Sequence, residues 1–192
     1  MTVAYPFFYH LPQLTTLRTR LRKVEDADRL DLISLSLERQ SSFLSDEQIV
    51  RTKQESNEYV DYLLNCYKKG RPAPWGIFAK ESNRLIGVCG YVKWLPKEGA
   101  AEIGYQLDPI YWKRGLMTEV VQEVIDFSFN QLGLCRIDAK CLANNFASIK
   151  LLHKVGMIKQ EQKPSYVWSK GHYEMVEFYS IGKDKFRSEN GV

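Results

Sequence analysis

The chain has 192 residues, 44% of them hydrophobic and 26% charged, with 27 Lys+Arg against 23 Asp+Glu and a formal net charge of +4. That length suits one domain with room for a core that needs no disulfide or metal staple. The composition excludes a disordered or low-complexity chain, and the small positive excess carries no strong nucleic-acid signal.

In chain order, the opening Met1–Pro12 is aromatic, lacks a basic leader and is interrupted by Pro6, His10 and Pro12. It reads as an arm over residues 1–16 rather than a signal peptide. No apolar run approaches the ~18 residues of a membrane span, so no membrane contact and a cytoplasmic location are expected. Leu17–Arg22 alternates with period two and predicts a strand with Arg18, Arg20 and Arg22 on one face. Asp26 precedes a predicted helix over Ala27–Glu38. The capping-box pattern at Ser45–Gln48 predicts a second helix running to about Lys69, ended by Gly70 and Pro72. Strands are predicted at Trp75–Lys80, Leu85–Leu95 and Ala100–Leu107. A helix follows at Leu116–Leu132, with Glu119, Gln122, Glu123 and Asp126 as its solvent stripe and Val120, Val121, Val124, Ile125 and Phe127 facing the sheet. Then come a strand at Arg136–Leu142, a short helix at Asn145–Val155, and a hairpin of Lys163–Trp168 and Tyr173–Ile181. The domain so predicted spans 17–187, with 188–192 as a tail. Its β-α-α-β-β-β-α-β-α-β-β order argues an α/β or α+β fold on one mostly antiparallel sheet. Cys66, Cys89, Cys135 and Cys141 have no C-x-x-C spacing and read as buried, reduced thiols; His10, His153 and His172 are scattered, so no metal site is expected.

Two stretches carry chemistry. Asp108–Gly115 is a loop that feeds a helix. A helix opening just after a glycine presents free N–H groups and its positive dipole end, which suits a pyrophosphate. Lys113 and Arg114 add charge there, and Gly115 admits a ligand close to the backbone. The same residues also make an ordinary βα turn, and the loop alone leaves both readings open. It lacks the remaining glycines of G-x-G-x-x-G and the G-K-[ST] of a P-loop, which argues against dinucleotide binding and nucleotide hydrolysis. In the second stretch, Asn145 and Ser148 share a face at a helix start. Asn145 has both a donor and an acceptor for an amide-bearing ligand, and it also suits an N-cap.

Ala101–Leu107, Tyr111–Glu119 and Asn145–Leu152 with Gly156-Met157 together resemble the GNAT superfamily of acyl-CoA-dependent N-acetyltransferases, and within it the RimJ/RimL-like group. The resemblance implies a mixed, mostly antiparallel sheet of six to seven strands, flanked by about four helices and opened by a central V-shaped split. Acetyl-CoA is the implied cosubstrate. Tyr105, Gln106 and Leu107 would meet its pantetheine arm in strand fashion. Trp112, Lys113, Arg114, Gly115, Leu116, Met117 and Thr118 would bind the cofactor, with the amides from Lys113 onward holding the pyrophosphate. Asn145 would bond the pantetheine arm, and Ser148 would lie near the thioester sulfur, with either Ser148 or a water as the acid.

The resemblance also has gaps. Trp112 and Met117 depart from the superfamily loop pattern, and Lys113 stands where the group often has glycine. The tyrosine acid of many members falls at Leu152. A RimL-like glutamate base falls near Val167, which has no carboxylate. The implied base is Glu102, with Glu174 and Glu161 as further carboxylates. The implied reaction is direct attack by a primary amine, either a protein α-amine or a small-molecule amine, in a ternary complex. Phe43, Tyr59, Tyr166, Trp168 and Tyr173 are candidates to line the acceptor groove, and a homodimer is compatible with the resemblance. Two other readings stand beside it: a non-catalytic acyl-CoA-binding module, and a ribosome- or RNA-associated factor using the arginine strand.

Overall fold

The computed structural model describes residues 5–37, 52–161, 164–169 and 172–190. In chain order its elements are α1 (Pro6–Tyr9), β1 (Leu14–Thr15), β2 (Thr19–Arg22), α2 (Arg29–Leu37), α3 (Lys53–Lys68), β3 (Pro74–Ala79), β4 (Leu85–Leu95), β5 (Ala100–Leu107), α4 (Leu116–Asn130), β6 (Arg136–Leu142), α5 (Phe146–Lys154), β7 (Ile158–Lys159), β8 (Ser165–Ser169), β9 (His172–Gly182) and α6 (Lys183–Asn190). The strands form one mixed sheet in the order β1-β2-β3-β4-β5-β6-β9-β7, with β8 also on β9. All pairings are antiparallel except β5 with β6.

The seven predicted strands are all present. The sheet exceeds six to seven strands because β1 and β7 add two residues each, too few to show any period. The helices beyond the predicted four are α1, a single turn, and α6. The sequence of α6 is polar, and it is anchored by Phe186, whose ring lies 5.5 Å from Phe129. The strand predicted from Leu17 begins at Thr19: Thr16 N–H donates to the Thr19 carbonyl at 3.0 Å, a turn that leaves Leu17 81% exposed. Ser45–Gln48 lies outside the described residues. The described α3 opens on a different capping box, in which Thr52 Oγ1 accepts from Glu55 N and Glu55 Oε2 accepts from Thr52 N. Its end follows expectation. Gly70 is left-handed (φ +59), and Arg71 N–H reaches back to the Cys66 carbonyl at 2.9 Å.

Residues 5–12 complete the core. Phe8 is fully buried, Phe7 stacks between Trp94 and Phe127, and Trp75 Nε1 donates to the Pro12 carbonyl. The valines and isoleucine expected on the inner face of α4 (Val120, Val121, Val124, Ile125) are fully buried, so α4 lies on the sheet as the crossover between β5 and β6. Among the described residues no helix is long and apolar enough to cross a membrane.

The parallel pair has a short reach. β5 and β6 pair from Ala100–Arg136 to Ile103–Ala139 and then part. Beyond that point β5 stays with β4 as far as Leu107, and β6 stays with β9 as far as Leu142. The closed end is pinned by Gly99, left-handed at φ +60, whose carbonyl accepts from both Cys135 N and Arg136 N.

Because Phe8 is sealed in the core, Phe8→Ala should lower stability by about 3–5 kcal/mol. The same change at exposed Leu17 should fall within about 0.5 kcal/mol. Urea unfolding of the two variants checks this contrast.

Candidate active site

The mouth of the split combines two kinds of unsatisfied backbone. Along its far edge Gly104–Leu107 has no strand neighbour, and Lys140–Leu142 faces it from the other bank, paired with β9 and with its Leu142 carbonyl also accepting from Asn145 N. Trp112 Nε1 takes up the Leu107 carbonyl at 2.7 Å, which ties the following loop to the end of β5. The loop then turns sharply. Lys113 (φ +60) and Gly115 (φ +77) both occupy the left-handed region, and Gly115 caps α4 without any side-chain cap. The first intrahelical bond of α4 is Glu119 N to the Gly115 carbonyl, so the amides of Leu116, Met117 and Thr118 remain as donors at the positive end of the helix. Lys113 and Arg114 are exposed at this rim, and Arg114 lies over the Tyr111 ring at 5.4 Å. Leu116 and Met117 bury their side chains in the core, so only their backbones are available to a ligand.

The two faces of the split differ. On one face, Tyr105 projects toward α5, on the side where Ser148 lies. Burial raises the Tyr105 pKa, so the phenol stays protonated across the working range. Asn145 is the N-cap of α5: its Oδ1 accepts from Ser148 N at 3.1 Å, which leaves its Nδ2 to donate. On the other face, Gln106 Nε2 donates to the Leu35 carbonyl at the end of α2. Glu102 shares that face. Its Oε2 accepts from Lys93 Nζ at 2.7 Å, while its Oε1 is buried and has no hydrogen-bond partner among the described residues. A bulge at Val92 in β4 brings Lys93 opposite Glu102.

The register across β6 and β9 puts Glu174 on the same face as Glu102. Glu174 lies directly opposite Val167, is buried, and its Oε1 accepts from Asn144 Nδ2 at 2.9 Å. A carboxylate therefore stands across the strand from Val167. Glu102 is three residues from Tyr105, roughly 10 Å along a strand, and lies on the opposite face of β5.

The expected residues fall into groups. Tyr105, Gln106, Leu107, Trp112–Thr118, Asn145 and Ser148 line the open end, and Glu102 sits back at the paired end. Tyr59 is buried within the α3 packing, whereas Tyr166 and Tyr173 are exposed on the hairpin. Phe43 lies outside the described residues. Arg18 was expected on an arginine face and Glu119 on a solvent stripe, yet they meet, with Arg18 Nη2 and Nε at 2.6 and 2.8 Å from Glu119 Oε1. Asn144 reads from sequence only as a candidate N-cap beside Asn145, and Lys93 carries no sequence signal; no spacing rule connects either to its carboxylate. No group of His, Cys, Asp and Glu suited to a metal ion occurs among the described residues.

Comparison with known proteins followed from this geometry. The acetyltransferase (GNAT) domain family matches residues 18–158. The uncharacterized N-acetyltransferase YoaA of Bacillus subtilis is 30% identical over 181 residues, covering 91% of this chain and 98% of that one. Among solved structures, the ribosomal-protein alpha-N-acetyltransferase RimL in complex with coenzyme A superposes with a TM-score of 0.78 at 21% identity, covering 91% of this chain and 99% of that one. A spermidine N-acetyltransferase from Vibrio cholerae, in complex with CoA and spermine, does so with 0.74 at 18% identity, covering 88% and 98%.

The cysteines correct one expectation: Cys66 and Cys89 are buried and Cys141 is half-buried, but Cys135 is exposed, because it ends the turn before β6. Burial raises the Cys66 and Cys89 thiols and pushes Cys141 up to about 12. Thiolate is the reactive form, so iodoacetamide at about pH 8 should alkylate Cys135 in the folded protein and the other three only after denaturation. Peptide mass spectrometry reads this directly.

Proposed function

The chain belongs to the GNAT acetyltransferase family, and we propose that it transfers an acetyl group from acetyl-CoA to a primary amine by direct attack in a ternary complex. The observation that carries this reading is the parting of β5 from β6 beside an uncapped helix N-terminus. The residues present fit the cosubstrate. The one-sided strand Gly104–Leu107 suits an extended amide-bearing arm, and the amides after Lys113 suit a diphosphate. Leu116 and Met117, whose side chains are buried, contribute through their backbones.

When bound, acetyl-CoA supplies an activated thioester, and the chain supplies the remaining functions. Asn145 Nδ2 donates to the pantetheine arm, since its Oδ1 is engaged by Ser148 N. Glu102 accepts the proton of the incoming ammonium through water, its unpartnered Oε1 being the receiving atom. Ser148, whose backbone N is held by Asn145 Oδ1, donates a proton toward the departing sulfur from the opposite face. An α-amine, with a pKa near about 8, needs less help from a base than a lysine amine at ~10.4. Orientation of amine and thioester in the slot supplies much of the rate.

The two CoA-bound neighbours act on a ribosomal protein and on spermidine, by their names, and both acceptors present primary amines. The acceptor class is therefore a protein α-amine or a small polyamine. The arginine strand gives little support to an RNA-binding reading: Arg22 is paired with Asp28 and lies over the Phe78 ring at 3.7 Å, and Arg18 is paired with Glu119.

The test is thiol release from acetyl-CoA over a panel of peptides and polyamines. An accepted amine should give turnover. Glu102→Gln should lower kcat by about 10²-fold or more, and Ser148→Ala should lower kcat by at least about tenfold. If Glu174→Gln lowers kcat to that extent and Glu102→Gln does not, the base is Glu174. Tight CoA binding without turnover on any amine would favour the non-catalytic module.

A further inference from the structure

The arginine pattern of β2 has a second consequence at the cofactor loop, one that rests on the acetyl-CoA reading above. A Cβ built on Gly115 would lie 3.4 Å from Arg18 Nη2, so the guanidinium sits against the backbone of the loop that opens α4. Its Nε and Nη2 both bond Glu119 Oε1, and Nη1 has no hydrogen-bond partner among the described residues. Glu119 is the fourth residue of α4, and its Oε2 is buried without a hydrogen-bond partner among the described residues.

This arrangement sets up a conflict. A carboxylate in the first turn suits the helix dipole, but it also places a negative charge beside the amides meant for an anion. With Oε2 shielded from water, that charge is poorly screened. The Arg18 side chain remains 43% exposed, so it faces both the carboxylate and the mouth of the loop.

We infer that Arg18 is a positioning residue for the cofactor: it neutralises Glu119 from across the fold, so that the α4 N-terminus accepts the diphosphate of CoA. The link spans 101 residues of sequence and joins the turn between β1 and β2 to the central crossover helix. Lys113 and Arg114, by contrast, are loop cations exposed at the rim.

Calorimetric titration of the full chain with CoA tests the inference without requiring an acceptor amine. Arg18→Ala should weaken binding at least tenfold, and adding Glu119→Gln to it should restore at least fivefold of that loss. Glu119→Gln alone, which keeps the shape of the side chain, should bind CoA at least as tightly as the wild type. The same ratios should appear with 3′-dephospho-CoA, because the contact is with the diphosphate. Several results would overturn the inference: Arg18→Ala within twofold of wild type, a double variant no tighter than Arg18→Ala, a Glu119→Gln variant that binds more weakly, or an effect that vanishes with 3′-dephospho-CoA. If Arg18→Ala does not fold, Glu119→Gln decides alone. Failure of the wild type to bind CoA would overturn the acetyl-CoA reading as well, whereas wild-type binding with an indifferent Arg18→Ala would overturn this inference only.

Discussion

Two parallel strands that pair and then part are the feature on which the rest of the molecule depends. Parallel neighbours normally continue together, since each residue gained adds backbone bonds. Here β5 and β6 stop at Ile103–Ala139, and each then holds only its outer neighbour. Gly99 clamps the closed end, α4 spans the pair, and Tyr105 reaches α5 at the open end. Backbone groups left in such a gap need partners, so the slot is fitted to a guest with amide groups of its own. The catalytic geometry follows, because the parting strands give access to one chain position from both faces of the sheet.

Charge is distributed to match. The α4 end of the slot gathers Lys113, Arg114 and free amides, and the carboxylate of Glu119 there is held by Arg18. The α2 face gathers Glu102 and Glu174, each with a neutralising or donating neighbour in Lys93 or Asn144. An anionic cosubstrate and a cationic acceptor would thus be drawn to different parts of one cleft.

Much of the fold was legible because its long elements carry clear periods: the valine stripe of α4, the apolar runs of β3 and β4, and the alternation of β6. The short β1 and β7 and the single turn α1 carry no period, and α6 is polar along most of its length, held through Phe186 and through Lys183, whose Nζ donates to the Phe129 carbonyl. The loop and the Asn145–Ser148 pair were legible because a helix start is a local event. The split was not, because it is a property of register between segments that lie far apart in sequence, and it entered only through resemblance. Arg18–Glu119 was hidden for the same reason: it is a contact made by the fold between residues that, read locally, look like solvated charges.

Hydrogen–deuterium exchange with and without CoA tests the central claim most directly, since it reads the backbone that the parted strands expose. The account predicts slower exchange in peptides covering Tyr105–Leu107 and Leu116–Thr118 when CoA is added, with β3 unchanged. Binding of CoA with no protection at those two segments, or with protection confined to other parts of the chain, would contradict it.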